Sequence, residues 1–388
     1  MSKQQEIQSQ LLQLLLRYGT ITRPQCIQEL GVRPGTLLEA INALKTRGLV
    51  QEPSRHSRRT GRKAPELELV PDCLWCAGLE VRADGIQGVV VDATGVVQES
   101  CFVPCDFHQN SSDYLQKLFL AVETLVSRCG ERWGRVSGLG FADPGLVDIR
   151  RGVSLRAVNL PGWRDIQTKA ELEKRFGMPV GLWPESAVCT HLEYLQRARE
   201  LATGSLFYLR MGVGIGGGFI RQGELFFGDQ DLGMEVGHLI VKPEGPPCQC
   251  GNRGCLEAIA GFRGIHRRVR EALESGVGTA LPATNFSIAK FAECARTDKT
   301  ALLIASEVCE SIGTALATVV TLLNPSCIVL HGELTGLGDL MLETIRRVLN
   351  ANCFPAAVQN LQLELSTLKA TDTARGAALL MRNQLIHA

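Results

Sequence analysis

The sequence predicts an α/β protein in three parts: an N-terminal winged helix-turn-helix head, then a body of two sheet-based lobes facing a cleft. Three observations carry that prediction. The first seventy residues show helical apolar spacing broken by glycines. From Pro71 the texture changes to short alternating strands with turn residues between them. A strand-turn-strand-turn-strand opening then occurs twice, at "CAGLEVRADGIQGVVVDATGVVQESCFVP" and at "LFYLRMGVGIGGGFIRQGELFFG", a weak internal repeat. The expected boundaries are 1–70 for the head, 71–186 for the first lobe, completed by 372–388, and 187–371 for the second lobe.

In the head, Ile7, Leu11, Leu12, Leu14 and Leu15 define a first helix that Gly19 ends. Thr22 caps a second, with Pro24 in its first turn and Ile27 and Leu30 facing inward. Gly31 closes it, and Pro34 opens a third helix with the stripe Leu37, Leu38, Ile41 and Leu44. The early residues Arg33, Gly35, Thr36 and Glu39 are not needed by a core, and suit entry into a DNA major groove. "LVQEP" then begins a strand that returns through Leu67 and Leu69, enclosing a tip with Arg55, Arg58, Arg59, Arg62 and Lys63. Five cations without an acid between them repel one another unless a phosphate backbone or minor groove receives them. The expectation is that Arg33, Thr36 and Glu39 touch base edges while Arg58, Arg59, Arg62 and Lys63 hold backbone. The plainer alternative is a three-helix adaptor with a solvated basic linker.

Charge points the same way. The chain of 388 residues has a net charge of +1, which excludes a general polyanion binder. Its first seventy residues nevertheless carry eleven Lys or Arg against six Asp or Glu. The apolar run "LLQLLLRYG" is short, interrupted and lacks a cleavage-type sequence. No run of about 20 apolar residues is evident, so a cytoplasmic protein without membrane insertion is expected.

In the body, a helix is expected over 114–129, a strand at "VSGLGF", long helices at "AVCTHLEYLQRARE" and "LLIASEVCESIGTALATVVTLL", and a buried strand at "CIVLHGEL". Most of the fourteen cysteines, such as Cys189, Cys309 and Cys327, sit singly in apolar runs and read as small core residues, as do Cys73, Cys76, Cys101 and Cys105. One group differs. "GHLIVKPEGPPCQCGNRGCLE" places His238 ahead of Cys248, Cys250 and Cys255 among glycines and prolines. Three thiolates and one imidazole form a closed tetrahedral zinc set, structural because no coordination position stays open. Gly251 and Gly254 allow the tight wrap. Three unrelated thiols or a labile disulfide are the alternatives.

"GMEVGHLIVKPEGPPCQCGNRGCLE", "NLPGW" (159–163), "DPGLVD" (143–148) and "GVGIGGG" (212–218) together resemble the landmarks of the ROK family of repressors, open reading frames and sugar kinases. The resemblance spans about 79–376. It implies an actin-like, ribonuclease-H-like two-lobed body that binds a sugar in its cleft and zinc on His238, Cys248, Cys250 and Cys255. The head places the chain beside the glucose- and N-acetylglucosamine-responsive repressors. Two departures argue against kinase chemistry. The phosphate-cradling glycine turn of the family kinases is replaced at Arg82 and Ala83. Their Asn-Asp pair is replaced by Pro184 and Glu185, so the catalytic aspartate position holds a longer acid. The residues left to meet sugar hydroxyls are Asn159, Glu185, Glu235, His238 and Glu257, while "GVGIGGG" reads as a hairpin rather than a phosphate turn.

The function expected is a sequence-specific transcriptional regulator, a repressor. Its partners are double-stranded operator DNA, a sugar or sugar-phosphate effector, and its own copies in a dimer or tetramer. The rivals are a ROK-type sugar kinase with an accessory DNA-binding head, and a regulator whose vestigial cleft answers to a partner protein.

Overall fold

The computed structural model describes residues 3–52, 66–82, 84–105, 114–157, 160, 162–201, 204–281, 284–369 and 371–387. The chain divides into two compact units. One is Met1–Val188 with Leu195–Arg199 and Lys369–Ala388; the other is Cys189–Tyr194 with Glu200–Leu368.

The first unit begins with α1 (Lys3–Tyr18), β1 (Thr20–Thr22), α2 (Arg23–Leu30), α3 (Pro34–Thr46), β2 (Val50–Gln51) and β3 (Glu66–Leu69). The Gln25 side chain accepts from the Thr22 N–H at 3.0 Å, fixing the start of α2. Gly31, with φ 62°, terminates it in the left-handed conformation that glycine tolerates. Leu11, Leu15, Leu37, Ile41, Leu44 and Leu67 form the head's core. Ile27 and Leu30 of α2 pack against this core as partly buried residues, beside the fully buried Cys26. One inner-face assignment is corrected. Leu38 is 44% exposed, because the buried stripe of α3 runs through Leu37, Ala40, Ile41 and Leu44. Strand β3 lies between β1 and β2, with Val50 opposite Leu69. The wing's strands are therefore in place, while Arg55, Arg58, Arg59, Arg62 and Lys63 lie outside the described residues.

The same unit continues with β4 (Trp75–Arg82), β5 (Gly85–Val91), β6 (Val97–Pro104), α4 (Tyr114–Cys129), β7 (Val136–Asp143), β8 (Leu146–Asp148), β9 (Val153–Arg156), β10 (Arg164–Ile166), α5 (Thr168–Phe176), β11 (Val180–Pro184) and the start of α6 (Glu185–Leu201). Its five-stranded sheet has the order β11-β7-β4-β5-β6. Trp163, from the "NLPGW" landmark, is 1% exposed and packs edge-on to Tyr114 with ring centroids 4.6 Å apart. Its role is therefore in the core.

The second unit contains β12 (Ser205–Met211), β13 (Ile215–Arg221), β14 (Glu224–Leu225), α7 (Leu256–Ala260), α8 (Phe262–Glu274), α9 (Ile288–Cys294), α10 (Lys299–Leu323), β15 (Cys327–His331), α11 (Asp339–Asn352), α12 (Pro355–Val358) and β16 (Gln362–Leu365). Its sheet has the order β14-β13-β12-β15-β16. Numbered by occurrence, both five-stranded sheets read third, second, first, fourth, fifth. In both, the first three strands form an antiparallel meander and the last two join in parallel. The repeat seen in the sequence is thus a repeat of topology. Helix α10 is long and apolar enough by composition to cross a bilayer. Ile304, Val308, Ile312, Leu316 and Val320 along it are instead buried in the core of this unit.

The chain ends in α13 (Asp372–His387), which returns to the first unit and covers β4 and β7. Glycine permits this close approach: a Cβ on Gly78 would lie 2.0 Å from the Ala374 oxygen, and one on Gly140 2.0 Å from the Ala377 oxygen. Neither obstacle is a flexible side-chain tip. Gly140→Ala is therefore expected to destabilise the protein by ~1–3 kcal/mol or more through overpacking, read as a lower urea midpoint. An unchanged midpoint would contradict this packing.

Candidate functional site

In the second unit, His238, Cys248, Cys250 and Cys255 bring four ligand atoms within 4.8 Å of one another. The Cys248 Sγ lies 3.7 Å from His238 Nδ1, and the Cys250 Sγ lies 3.7 Å from the Cys255 Sγ. Backbone bonds build the arrangement. Cys248 N–H donates to Asn252 O at 2.7 Å, and Gly251 N–H to Cys248 O at 3.1 Å, closing a tight loop. Val241 N–H donates to Gly254 O at 3.0 Å, and Leu256 N–H to Leu239 O at 2.9 Å, tying that loop to the histidine side. Gly254 has φ 69°, and a Cβ there would lie 1.6 Å from the Lys242 oxygen. Only glycine fits.

The donor set suits a metal. A tetrahedral ion ~2.3 Å from each sulfur spaces its ligands by ~3.8 Å, close to the separations found. Burial pushes the Cys255 thiol up to about 12, and its neighbours Cys250 and Cys248 add to the rise. Without a cation, three thiols this close resist ionising together. The four residues can therefore hold a metal.

Two carboxylates adjoin the cluster. Glu257 lies in the first turn of α7, and its Oε2 accepts from the Ile215 N–H at 2.9 Å. That bond ties α7 to the "GVGIGGG" hairpin and occupies an amide that a phosphate turn would present. Gly237 permits the same contact from the other side, since a Cβ there would meet Ile215 O at 2.2 Å. Glu235 is exposed as a residue. The protein packed around its carboxyl still raises that group's pKa; His238 opposes the rise and Glu257 adds to it. The structure thus gathers Glu235, His238 and Glu257 around one metal-type loop.

In the first unit, Glu185 begins α6 and is 8% exposed. Strand β11 pairs in parallel with β7 so that Pro184 stands opposite Asp143. Both acids therefore lie at carboxyl ends of strands, where open α/β sheets bind ligands. Asp143 is fully buried, accepts from the Ser154 hydroxyl, and accepts from the Gly145 N–H at 2.8 Å. Its pKa is raised to about 6 by burial; the Ser154 and Gly145 bonds oppose the rise and Glu185 adds to it. Asp143 was not singled out from the sequence as a site residue. The signal available was an acid inside the apolar run "GLGFADPG". Glu80, 5% exposed on β4, was missed for the same reason.

Arg82 is engaged locally, 3.2 Å from Asp84 and with its guanidinium 5.7 Å from the centre of the Phe102 ring. Ala83 and Asn159 lie outside the described residues. On the head, Arg33 and Glu39 are exposed and Thr36 is half-buried, all on the side of α3 away from its core stripe. Leu38 shares that outer surface. Behind α3, Glu52 pairs with Arg23 and with Lys45 at 3.2 Å; these partners, Arg23 foremost, lower its pKa.

A profile described as the ROK family matches residues 76–384. The chain is 25% identical over 387 residues to the xylose repressor of Caldicellulosiruptor bescii, covering 97% of this chain and 95% of that protein. It is 26% identical over 317 residues to a glucokinase of Halalkalibacterium halodurans, covering 80% of this chain and 96% of that one. The glucokinase alignment is thus shorter by about the length of the head. Among solved structures, a ROK family transcriptional regulator, a homolog of the Escherichia coli MLC protein, shares the fold. Its TM-score is 0.79 at 22% identity, over 95% of this chain and 92% of that one.

A pH prediction follows from Asp143. Its folded pKa of about 6 lies above the ordinary 3.8, so the fold favours the protonated acid. That contribution is complete below the ordinary value and is lost as pH rises through the folded one, up to ~3 kcal/mol. Asp143→Asn should gain on the parent between pH 4 and pH 7 in thermal unfolding. Parallel profiles would contradict it.

Proposed function

The chain belongs to the ROK family, and on that premise we propose that it is a sugar-responsive, DNA-binding transcriptional regulator, a repressor. One observation carries the reading: a winged helix-turn-helix joined to a ROK body, in a chain that aligns over nearly its full length with a repressor. The division adopted is 1–70 for the DNA-binding head, 71–186 with 372–388 for the first actin-like lobe, and 187–371 for the second. In this reading α3 enters the major groove with Arg33, Thr36 and Glu39 at base edges. Leu38 supplies an apolar contact of the kind a thymine methyl accepts. Arg58, Arg59, Arg62 and Lys63 hold the backbone, and a dimer or tetramer presents paired heads to a palindromic operator.

Sugar hydroxyls are assigned to Glu235, Glu257 and the Nε2 of His238, with Asn159 and Glu185 the residues assigned from the first lobe. Zinc is the metal whose ligand preference matches His238, Cys248, Cys250 and Cys255; bound there, it supplies a closed structural centre that stiffens the loop. The protein's own part is to orient the His238 ring through Nδ1, leaving Nε2 outward, and to hold Glu257 through Ile215. Cys250→Ala should cut the zinc content of the purified chain from about one per chain to well below that, by elemental analysis. Parental zinc in the variant would exclude this ligand set.

A second reading, a sugar kinase with a DNA-binding head, draws on the glucokinase similarity. Against it stand Pro184 and Glu185 at the family's Asn-Asp position, and the Ile215 amide already spent on Glu257. In-line phosphoryl transfer tolerates little displacement of its base. The deciding experiment measures operator affinity of the full chain with and without each of a panel of hexoses, pentoses, amino sugars and their phosphates. At least one should weaken operator binding by roughly 5–150-fold, and operator should weaken that sugar by the same factor. Operator affinity indifferent to every sugar, together with steady ATP consumption on one of them, would establish the kinase instead.

A further inference from the structure

We infer that the junction between the head and the first lobe, within the first unit, is a binding site for a small phosphate-bearing anion. A cavity of about 170 Å³ opens there. Arg17, Tyr18 and Leu69 line it from the head, and Thr94, Arg375 and Arg382 line it from the lobe. At ~30 Å³ per water, it has room for roughly five waters, or for one inorganic phosphate or a short phosphate ester.

The charge inside this cavity is unbalanced. Arg382 is 4% exposed. Its Nη1 donates to Ala93 O at 2.9 Å, and its Nε and Nη2 donate to Asn383 Oδ1 at 3.1 and 2.9 Å. These bonds satisfy donors without neutralising the charge. Arg375 donates its Nε to Gly95 O at 2.9 Å. A Cβ on Gly95 would lie 3.4 Å from Arg375 Nη2 and 3.7 Å from Arg382 Nη1, so the two guanidiniums crowd one short turn. Among the described residues neither forms an ion pair. The nearby acid is Asp92, which offsets part of the Arg382 charge without pairing with either guanidinium, its oxygens being engaged within its own turn. Its Oδ1 accepts from Thr94 N–H and Oγ1–H at 2.8 and 2.6 Å and from Val96 N–H at 3.2 Å, and its Oδ2 accepts from Gln98 at 2.8 Å. Burial, with Arg375 adding to it, lowers the Arg382 pKa to about 10, although Cys76 and Asp92 oppose the shift. Arg17 lies in the last turn of α1, where the helix end offsets part of its charge. Arg199 is also at this junction, donating to Thr20 O at 3.0 Å.

A buried guanidinium without a carboxylate partner, as Arg382 is, is costly, and with the half-buried Arg375 beside it offers a planar fork of donors that matches phosphate oxygens. A dianion seated here would neutralise Arg375 and Arg382 and bridge to the Arg17–Tyr18 end of α1. It would therefore hold the winged head against the lobe.

The test is calorimetric titration of inorganic phosphate into the full chain at fixed ionic strength, repeated with Arg375→Met. The parent should bind about one phosphate per chain, and the variant should bind at least tenfold more weakly. An Arg164→Gln variant, altered at an exposed arginine on β10, should match the parent. No saturable binding by the parent below ~10 mM phosphate overturns the proposal whatever the variants do. So does full affinity in a folded Arg375→Met protein, which would move the site to the wing cations or the sugar site. Either failure leaves the sugar-dependent release of DNA standing.

Discussion

Four side-chain donors converge in a segment that has little core of its own. Leu239 and Val241 pack against the core of the unit and Ile240 is 54% exposed, but from Lys242 to Gly254 the side chains are short, polar or proline. Backbone hydrogen bonds and glycines pressed on carbonyl oxygens set the path, and one imidazole and three sulfurs converge within it, where a metal would hold them. The Glu257 carboxylate follows directly, because Cys255 immediately precedes α7 and Glu257 reaches the Ile215 amide. Loosening the sulfur cluster would therefore release at once the histidine, one carboxylate and the hairpin it braces.

The same economy appears in the first unit. Two successive parallel strands deliver Asp143 and Glu185 to one sheet end, and the fold keeps Asp143 reluctant to ionise. Opposite it in the register stands Pro184. This sheet end carries the polar groups of a ligand site. Helix α13, seated on Gly78 and Gly140, lies in the same unit as the head and lends Arg375 and Arg382 to the junction with it. The helix that lines the junction therefore packs on the same sheet that carries the carboxylate end.

Much of this was legible in the sequence wherever periodicity was long and punctuation clear. The helix over 114–129, the two meanders and the buried strand after Pro325 fall where apolar alternation and glycine placed them. The metal-type cluster was legible because thiols and an imidazole at that spacing have few other uses. Leu38 was misplaced because helical spacing admits two adjacent leucines, and only packing against α1 decides which turns inward. The sheet β8-β9-β10 was not anticipated, since three- and four-residue strands leave no period to read. Asp143 escaped because burial of an acid beside a serine hydroxyl is a tertiary fact. The composition of α10 does not distinguish a core helix from a spanning one; only its buried neighbours do.

The central claim is that the metal-held loop is what makes the body a sugar receptor. The most direct measurement is calorimetric titration of the effector sugar into the zinc-loaded chain and into the same chain after chelation, with circular dichroism confirming that both remain folded. The account predicts saturable binding that weakens at least tenfold when the metal is withdrawn. Equal affinity in the loaded and the stripped protein would contradict it.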